Sequence, residues 1–366
     1  MKPKTIKFIL FFNIVMLSSL GWSQCEGCIE NMESYYNIDS LKSMVCLNWV
    51  TNMENCNEGD ISFLQEVTDS INSLVNESFI EPLQLGSQYW NNGRLEYLSL
   101  VFFPIDSTLS DIYSTQISLQ LPKSIGNLTN LRYLNISGHF TGELPIEIGN
   151  LINLEKFYSD WFTHFGCYEF DYECRSLIEN YGDIHSHECC IINCNSTDNC
   201  NGEIPSEIGN LTKLTDLSLG DNDLSGEIPS EIGNLINLER LNLRENDFTG
   251  SIPESICNLE NLTHLNLHTN VLSGVIPSCI GDLVNLESLT LGAGAHAGGS
   301  NSITGEIPES LWNITSLVQL SVEGNQLTGE ISENIGNLVN LMSLALGDNQ
   351  FYGSIPESIC NCPLDS

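Results

Sequence analysis

The sequence predicts an α/β solenoid, and the first observation behind this prediction is a repeat that runs through the C-terminal half of the chain. Residues 204–227, IPSEIGNLTKLTDLSLGDNDLSGE, are followed by segments that copy their spacing. The interval is 24 residues, as from Ile204 to Ile228, except for 31 residues from Ile276 to Ile307. A fixed period of this size is typical of a solenoid, in which each unit stacks on its neighbours to bury its apolar face. The units begin at Ile204, Ile228, Ile252, Ile276, Ile307, Ile331 and Ile355.

The second observation is the order of apolar residues within a unit, LxxLxLxxN. The alternation Leu217-x-Leu219 has the period of two that a strand needs, so we expect both leucines to point into the core. After the strand the chain turns beneath its neighbour, where a buried asparagine amide can pair with backbone donors and acceptors. We expect this role for Asn222, Asn246, Asn270, Asn301, Asn325 and Asn349.

The third observation is a glycine that follows each of these asparagines within the same turn. Its recurrence indicates a backbone conformation that side chains resist. The glycines are Gly226, Gly250, Gly274, Gly305, Gly329 and Gly353.

The complete motif, LxxLxLxxNxLxGxIPxxIGNLxxL, resembles the leucine-rich repeat, in the subclass typical of plant receptor ectodomains and polygalacturonase-inhibitor proteins. Similar secreted proteins also occur in bacteria. The resemblance implies a curved rod with a parallel β-sheet on its concave face, and ligand binding by exposed residues of that sheet. On this basis we assign the solenoid to residues 94–366, with a first recognisable strand around Leu95-x-x-Leu98-x-Leu100.

The N-terminus has the layout of a secretory signal. Three lysines precede an apolar run at residues 8–17, and small residues lead to Ser23. We therefore expect residues 1–23 to be removed and the protein to be secreted or held at the cell surface. A lipoprotein acylated at Cys25 is the weaker alternative, because Gln24 stands where a small residue is expected. No later stretch is long and apolar enough to predict a transmembrane segment.

Residues 24–93 lack the repeat and are predicted to form a helical, cysteine-stapled N-terminal cap over the open end of the solenoid. Helical periodicity occurs at residues 41–49 and 61–74, with Asp60 as the expected N-cap of the second helix. The chain has 14 cysteines, and their number in an exported protein indicates disulfides rather than free thiols. The sequence does not determine how they pair.

A cysteine-rich insertion at residues 158–200 interrupts the solenoid. It contains the cluster His185, His187, Glu188, Cys189 and Cys190, which are residue types that can hold zinc or copper. We favour structural disulfides, because closely spaced cysteines in an oxidising compartment pair with one another. We therefore predict no metal site and no cofactor.

Acidic residues dominate the composition of the chain. Its 366 residues carry 47 Asp and Glu against 12 Lys and Arg, a formal net charge of −35, which makes nucleic acid an unlikely class of partner. The simplest explanation of the acidity is solubility. Charge alone assigns no function.

One patch of the predicted concave face departs from this acidity. Arg240 and Arg244 are the only basic residues after Lys213, and both fall at outward positions of one strand. His264 and His268 occupy the same positions in the next repeat. Since neighbouring strands lie about 4.8 Å apart, we expect one compact patch suited to a sugar, a carboxylate or an acidic peptide. The predicted ligand-binding residues are Arg240, Asn242, Arg244, His264, Asn266 and His268. Ordinary variation between repeats is the alternative explanation.

Catalytic motifs are missing from the sequence: we find neither a nucleophile elbow nor HExxH, and the carboxylates are spread over turns. We predict a non-catalytic, exported binding module for a protein, peptide or glycan, of unknown oligomeric state. One alternative is a structural or adhesive protein of the cell surface or matrix that binds repetitively along the rod. Another is an inhibitor of a secreted enzyme, which rests on analogy alone.

Overall fold

The computed structural model describes residues 56–74, 87–91, 93–100, 119–136, 140–159, 164–165, 202–222, 224–292 and 301–364. Three features predicted from the sequence lie outside these residues. They are the signal segment, the first helix of the cap, and the histidine and cysteine cluster of the insertion.

The N-terminal cap contributes helix α1, Glu58–Leu74, which packs Phe63, Leu64 and Val67 against the first repeats. The predicted N-cap, Asp60, is wrong. Asn57 is the capping residue, because its Oδ1 accepts from the backbone N–H of Gly59 at 3.0 Å and of Asp60 at 3.3 Å.

Asp60 instead lies fully buried inside the first turn of α1 and connects the cap to the sheet. Its carboxylate accepts two hydrogen bonds from Arg94, at 3.0 and 3.1 Å, and one from the backbone N–H of Leu95 at 2.8 Å. Asn57 and Asp60 are both of residue types that cap helices. Because the Asp60 side chain is bound by Arg94, which is distant in the sequence, Asn57 is the residue that caps α1. Among the described residues Cys56 forms no disulfide, and the predicted cysteine staple of the cap otherwise concerns residues outside the description.

Seventeen strands are described. They are β1 Ser87–Asn91, β2 Arg94–Ser99, β3 Leu119–Gln120, β4 Tyr133–Asn135, β5 Phe140–Gly142, β6 Lys156–Tyr158, β7 His164–Phe165, β8 Asp216–Ser218, β9 Ser225–Glu227, β10 Arg240–Asn242, β11 Asp247–Thr249, β12 His264–Asn266, β13 Ser288–Thr290, β14 Thr304–Glu306, β15 Gln319–Ser321, β16 Gln326–Thr328 and β17 Ser343–Ala345.

Ten of these strands form the main sheet, in the order β1-β2-β4-β6-β8-β10-β12-β13-β15-β17. The first pair, β1 and β2, is antiparallel, and each later neighbour is parallel and supplied by the next repeat. Strand β6 precedes the insertion and pairs directly with β8, which follows it, so the sheet is continuous. Shorter parallel pairs, such as β9 with β11, run along the side of the solenoid.

Short 3₁₀-helices form the side opposite the main sheet, and most of them follow a proline in extended conformation. The described helices are Lys123–Asn127, Ile146–Asn150, Ser206–Asn210, Ser230–Asn234, Glu254–Asn258, Ile280–Asp282, Glu309–Asn313, Glu333–Asn337 and Glu357–Asn361. Between helices and sheet, the leucines and isoleucines of all repeats join one continuous apolar core from Phe63 to Cys362. The predicted leucine-rich solenoid is thus confirmed, and within the described residues α1 is its one α-helix.

The asparagine positions are also confirmed as internal hydrogen-bonding groups. Asn246 is typical: its Nδ2 donates to the carbonyls of Leu219 at 2.9 Å, Leu243 at 3.2 Å and Arg244 at 2.9 Å. Its Oδ1 accepts from the N–H of Leu224 at 3.0 Å. One amide therefore joins two turns of the solenoid, which explains the recurrence of asparagine.

The glycine positions behave as predicted. The six glycines that follow the asparagines have φ between +73° and +90°, the left-handed region that side chains resist. At Gly226 an added Cβ also meets Glu203 Cγ at 2.8 Å. No helix in the described part of the chain has the length and apolarity to cross a membrane.

Candidate functional site on the sheet face

The exposed face of the main sheet carries its side chains in two rows. Arg240, His264, Asn242 and Asn266 of the predicted patch lie in the middle of these rows, and Arg244 and His268 follow the strands. Arg240 pairs with His264 and Asn242 pairs with Asn266 across β10 and β12. The juxtaposition expected from the repeat is therefore present. The first row runs Tyr97, Tyr133, Lys156, Asp216, Arg240, His264, Ser288, Gln319, Ser343, and the second runs Ser99, Asn135, Tyr158, Ser218, Asn242, Asn266, Thr290, Ser321, Ala345.

Arg240 is held by a carboxylate from the preceding repeat. Its Nη1 donates to Asp216 Oδ1 at 3.0 Å, and Lys156 Nζ approaches the other carboxylate oxygen at 3.5 Å. The Asp216 side chain is only 5% exposed, whereas that of Arg240 is 56% exposed. The carboxylate thus lies beneath two cations that still face solvent.

The electrostatics of this triad follow from its burial and its donors. Burial alone would raise the pKa of the Asp216 carboxyl, but hydrogen bonds from Thr215 and Arg240 and the charge of Lys156 hold that pKa below its usual value. The hydrogen bond to Asp216 raises the pKa of Arg240, with smaller contributions from Tyr158 and Glu239. Asp216 is therefore an anion and Arg240 a cation at neutral pH.

Arg244, in the same repeat as Arg240, is also held by a carboxylate from the preceding repeat. Its Nη2 donates to Asp221 Oδ2 at 2.7 Å, and its Nη1 lies 4.0 Å from Glu245 Oε1. Asp221 has a φ of +54° and Glu245 a φ of +50°, so both carboxylates follow the strands in a left-handed turn. The guanidinium is therefore fixed in direction, with 39% of its side chain exposed.

The two histidines complete the patch with ring nitrogens that contact threonines. His264 Nδ1 lies 2.9 Å from Thr263 Oγ1, and His268 Nδ1 lies 2.6 Å from Thr269 Oγ1. Burial lowers the pKa of His268; nearby Arg244 lowers it further, while Glu323 opposes this effect. His268 is therefore a neutral hydrogen-bonding group at pH 7 rather than a third cation.

Sequence reasoning missed several residues of this face. The patch predicted from the sequence omits Asp216, although that carboxylate positions both Lys156 and Arg240. It also omits Tyr97 and Tyr133, which lie in repeats before the insertion. The same alternation applied to the earlier repeats identifies these tyrosines, with Tyr158 at the end of β6.

This arrangement can recognise an anion or a hydrogen-bonding chain. The guanidinium groups offer planar N–H donors, and Asn242 and Asn266 add amides. Strand β10 is paired with β8 on one side and β12 on the other. Asn242 Nδ2 already donates to Ser218 Oγ at 2.9 Å. Among the described residues, no group of three or more His, Cys, Asp or Glu side chains could hold a metal ion.

Comparison with known families identifies the repeats. Residues 189–322 match a model described as a leucine-rich repeat region, and residues 316–338 and 340–362 each match a model of a single leucine-rich repeat. No curated protein sequence matches the chain. Together with the observed solenoid, these matches identify the repeats within residues 189–362 as leucine-rich repeats.

Similar solved structures are ectodomains of plant receptor kinases. One is the ectodomain of HAESA from Arabidopsis in complex with an N-terminally extended IDA peptide hormone, with 33% identity, TM-score 0.52, and coverage of 67% of this chain and 34% of that one. Another is the ectodomain of GASSHO1/SCHENGEN3 from Arabidopsis thaliana in complex with CASPARIAN STRIP INTEGRITY FACTOR 2, with 28% identity, TM-score 0.54, and coverage of 67% and 24%. The chain thus spans about a third of the first ectodomain and about a quarter of the second.

Proposed function

We propose that this protein is an exported, non-catalytic binding module that captures a peptide or protein through a carboxylate held at Arg240 and Arg244. The observation that carries the proposal is the pair of solvent-facing guanidinium groups of Arg240 on β10 and Arg244 just after it, each aligned by an aspartate of the preceding repeat. A ligand carboxylate approaching from solvent meets donors that are already oriented, so little side-chain entropy is lost on binding.

The neighbouring groups favour this ligand chemistry. Asn242 and Asn266 are half-buried between the charged positions and can pair with peptide amides, while His264 and His268 extend the donor and acceptor set to β12. The similar HAESA ectodomain was solved with a peptide hormone bound, which favours a peptide over other ligand classes. Export rests on the N-terminal signal pattern.

The test is selection from a random peptide library against the purified protein, with each enriched peptide measured with a free and with an amidated C-terminus. We expect enrichment of peptides with a terminal or side-chain carboxylate. The double variant Arg240→Ala, Arg244→Ala should bind them at least about tenfold more weakly, because two charge-assisted hydrogen-bonding groups are lost.

Lys213→Ala is the matched control for loss of positive charge. Lys213 is exposed, lies away from the strands and donates to Asn153 Oδ1, so its removal should leave peptide affinity unchanged. Equal binding by wild type and the double arginine variant would refute the proposed site. Weak binding reduced in small steps by substitutions on many repeats would instead support the adhesive alternative.

A further inference from the structure

A third row of residues follows the strands of the main sheet, two positions beyond the second row. It runs Gly220, Arg244, His268, Gly292, Glu323, Gly347. Backbone hydrogen bonds keep the repeats aligned here; for example, the N–H of Thr269 donates to the carbonyl of Gly292 at 2.9 Å. Arg244 of the proposed peptide site and Glu323 therefore lie in one row, and two positions of that row separate them.

Two glycines of the third row leave room for the charged side chains. A Cβ added at Gly220 would lie 3.1 Å from Arg244 Cγ, and one added at Gly292 would lie 3.0 Å from Glu323 Cγ. Each charged side chain therefore packs over a bare backbone position of the preceding repeat. Because the same geometry applies to both, their separation along the row is that of three strand spacings, about 14 Å.

Glu323 is half-buried and forms no ion pair with any residue that the structure describes. The sequence contains no lysine or arginine after Arg244. His268 does not supply a cation at pH 7, because burial and Arg244 lower the pKa of its imidazole although Glu323 opposes this effect. Asp216, the other acid in the three rows from β8 onward, is in contrast held by two cations.

The stretch between the two charges is neutral in character and can accommodate a peptide backbone. No Asp, Glu, Lys or Arg occupies the three rows on β12 and β13. Asn266 on β12 accepts from the N–H of His268 through its Oδ1 at 3.1 Å, and its Nδ2 has no hydrogen-bond partner among the described residues. An extended chain that crosses this stretch can accept from that amide.

We infer that Glu323 is a specificity-determining residue of the proposed peptide site, which selects a ligand with a lysine or arginine near the carboxylate held at Arg240 and Arg244. An extended chain advances about 3.3–3.6 Å per residue, so about four residues span the distance between the two charges. The acidic excess of the whole protein favours a ligand with an added cation. This inference rests on the proposed function, because it requires a carboxylate at the arginines.

The test is selection from a synthetic library of N-acetylated decapeptides with free C-termini, carried out on wild type and on Glu323→Lys. We expect wild type to enrich lysine or arginine about three to five residues before the carboxylate. Glu323→Lys should enrich aspartate or glutamate at the same positions, because charge reversal at the site reverses the preferred partner. Replacing the enriched cation by alanine in the best peptide should weaken its binding to wild type about three- to tenfold. The same replacement should not affect binding to Glu323→Ala.

Glu260→Lys is the matched control, because it changes the net charge by the same amount as Glu323→Lys. Glu260 is exposed and follows the 3₁₀-helix Glu254–Asn258 on the side opposite the main sheet, so this variant should select the same peptides as wild type. Carboxylate-dependent binding without a preference for a cation, or an unchanged preference in Glu323→Lys, would overturn the role of Glu323 and leave the arginine site standing. Binding that does not require the carboxylate, or enrichment of no peptide by wild type, would refute the proposed function and this inference with it.

Discussion

Asp216 connects two cationic side chains of the site, because its buried carboxylate forms ion pairs with both Arg240 and Lys156. Its position on β8 places it between Lys156 of the repeat before the insertion and Arg240 of the repeat that follows. A carboxylate in this position orients the cations and also reduces their net charge. The affinity of the site for an anion therefore depends more on the orientation of the N–H donors than on an excess of positive charge.

Asp216→Asn should destabilise the protein by about 1–2 kcal/mol at pH 7, because charge-assisted hydrogen bonds to a partly exposed partner are lost. The pKa of Asp216 is depressed in the folded protein, so its stabilising contribution is complete above the ordinary aspartate pKa of about 3.9 and is lost as the pH falls through the depressed value. Urea unfolding measured from neutral to strongly acidic pH should show wild type and variant converging at the acid end.

Asp282→Asn provides the comparison for this experiment, because Asp282 is exposed and the same chemical change there should cost almost nothing at any pH. A difference between wild type and Asp216→Asn that is constant over the whole pH range would show that the carboxylate charge is not responsible.

Stacking of the 3₁₀-helices leaves no room for a side chain at the sixth residue of the repeats that carry glycine there. An added Cβ at Gly233 would lie 2.4 Å from the carbonyl oxygen of Ser255, and at Gly281 it would lie 2.3 Å from that of Ser310. In each case the contact is with the fourth residue of the following repeat. Where the sixth residue is Cys257, the fourth residue of the next repeat is Cys279, and the two form a disulfide with Cα atoms 5.9 Å apart.

The double variant Cys257→Gly, Cys279→Ser restores the glycine and serine combination of the neighbouring repeats and should fold normally. It should nevertheless lose roughly 3 kcal/mol of stability, because the disulfide closes a loop with a sequence separation of 22 residues in the unfolded chain. Denaturant unfolding with and without a reducing agent measures this contribution. Reduction should lower the midpoint of the wild type by more than that of the variant, and an equal effect on both proteins would exclude a stabilising role of this disulfide.

Repetition explains how much of the molecule could be predicted from the sequence. A side chain that recurs in every repeat, such as Asn246 or Gly250, meets the same neighbours each time, so its role follows from the period. Features that occur once depend on a partner far away in the sequence. The burial of Asp60 depends on Arg94, and the alignment of Arg240 depends on Asp216, and neither pairing is contained in a local pattern. The Cys257–Cys279 disulfide lies between these cases, since alignment of the repeats places both cysteines at contacting positions.

At the scale of the whole molecule, charge acts in opposite directions on stability and on recognition. The formal charge of −35 is distributed over a solenoid whose repeats carry acidic residues on many turns, and mutual repulsion destabilises the folded state. The arginine patch, in contrast, attracts ligand carboxylates at short range. Mobile ions screen both interactions within a Debye length of about 10 Å at 0.1 M salt.

Raising the ionic strength should therefore stabilise the protein while weakening capture of a carboxylate ligand. A screening gain of about 1 kcal/mol would raise the melting temperature by roughly 2–4 °C. Thermal melts in sodium chloride and in potassium chloride should agree, because screening depends on ionic strength rather than on the identity of the cation. Over the same titration, peptide affinity should fall in the wild type and stay flat in the double arginine variant. A melting temperature that decreases with salt would mean that attractive ion pairs, such as Arg94 with Asp60 and Arg240 with Asp216, outweigh the repulsion of the acidic excess.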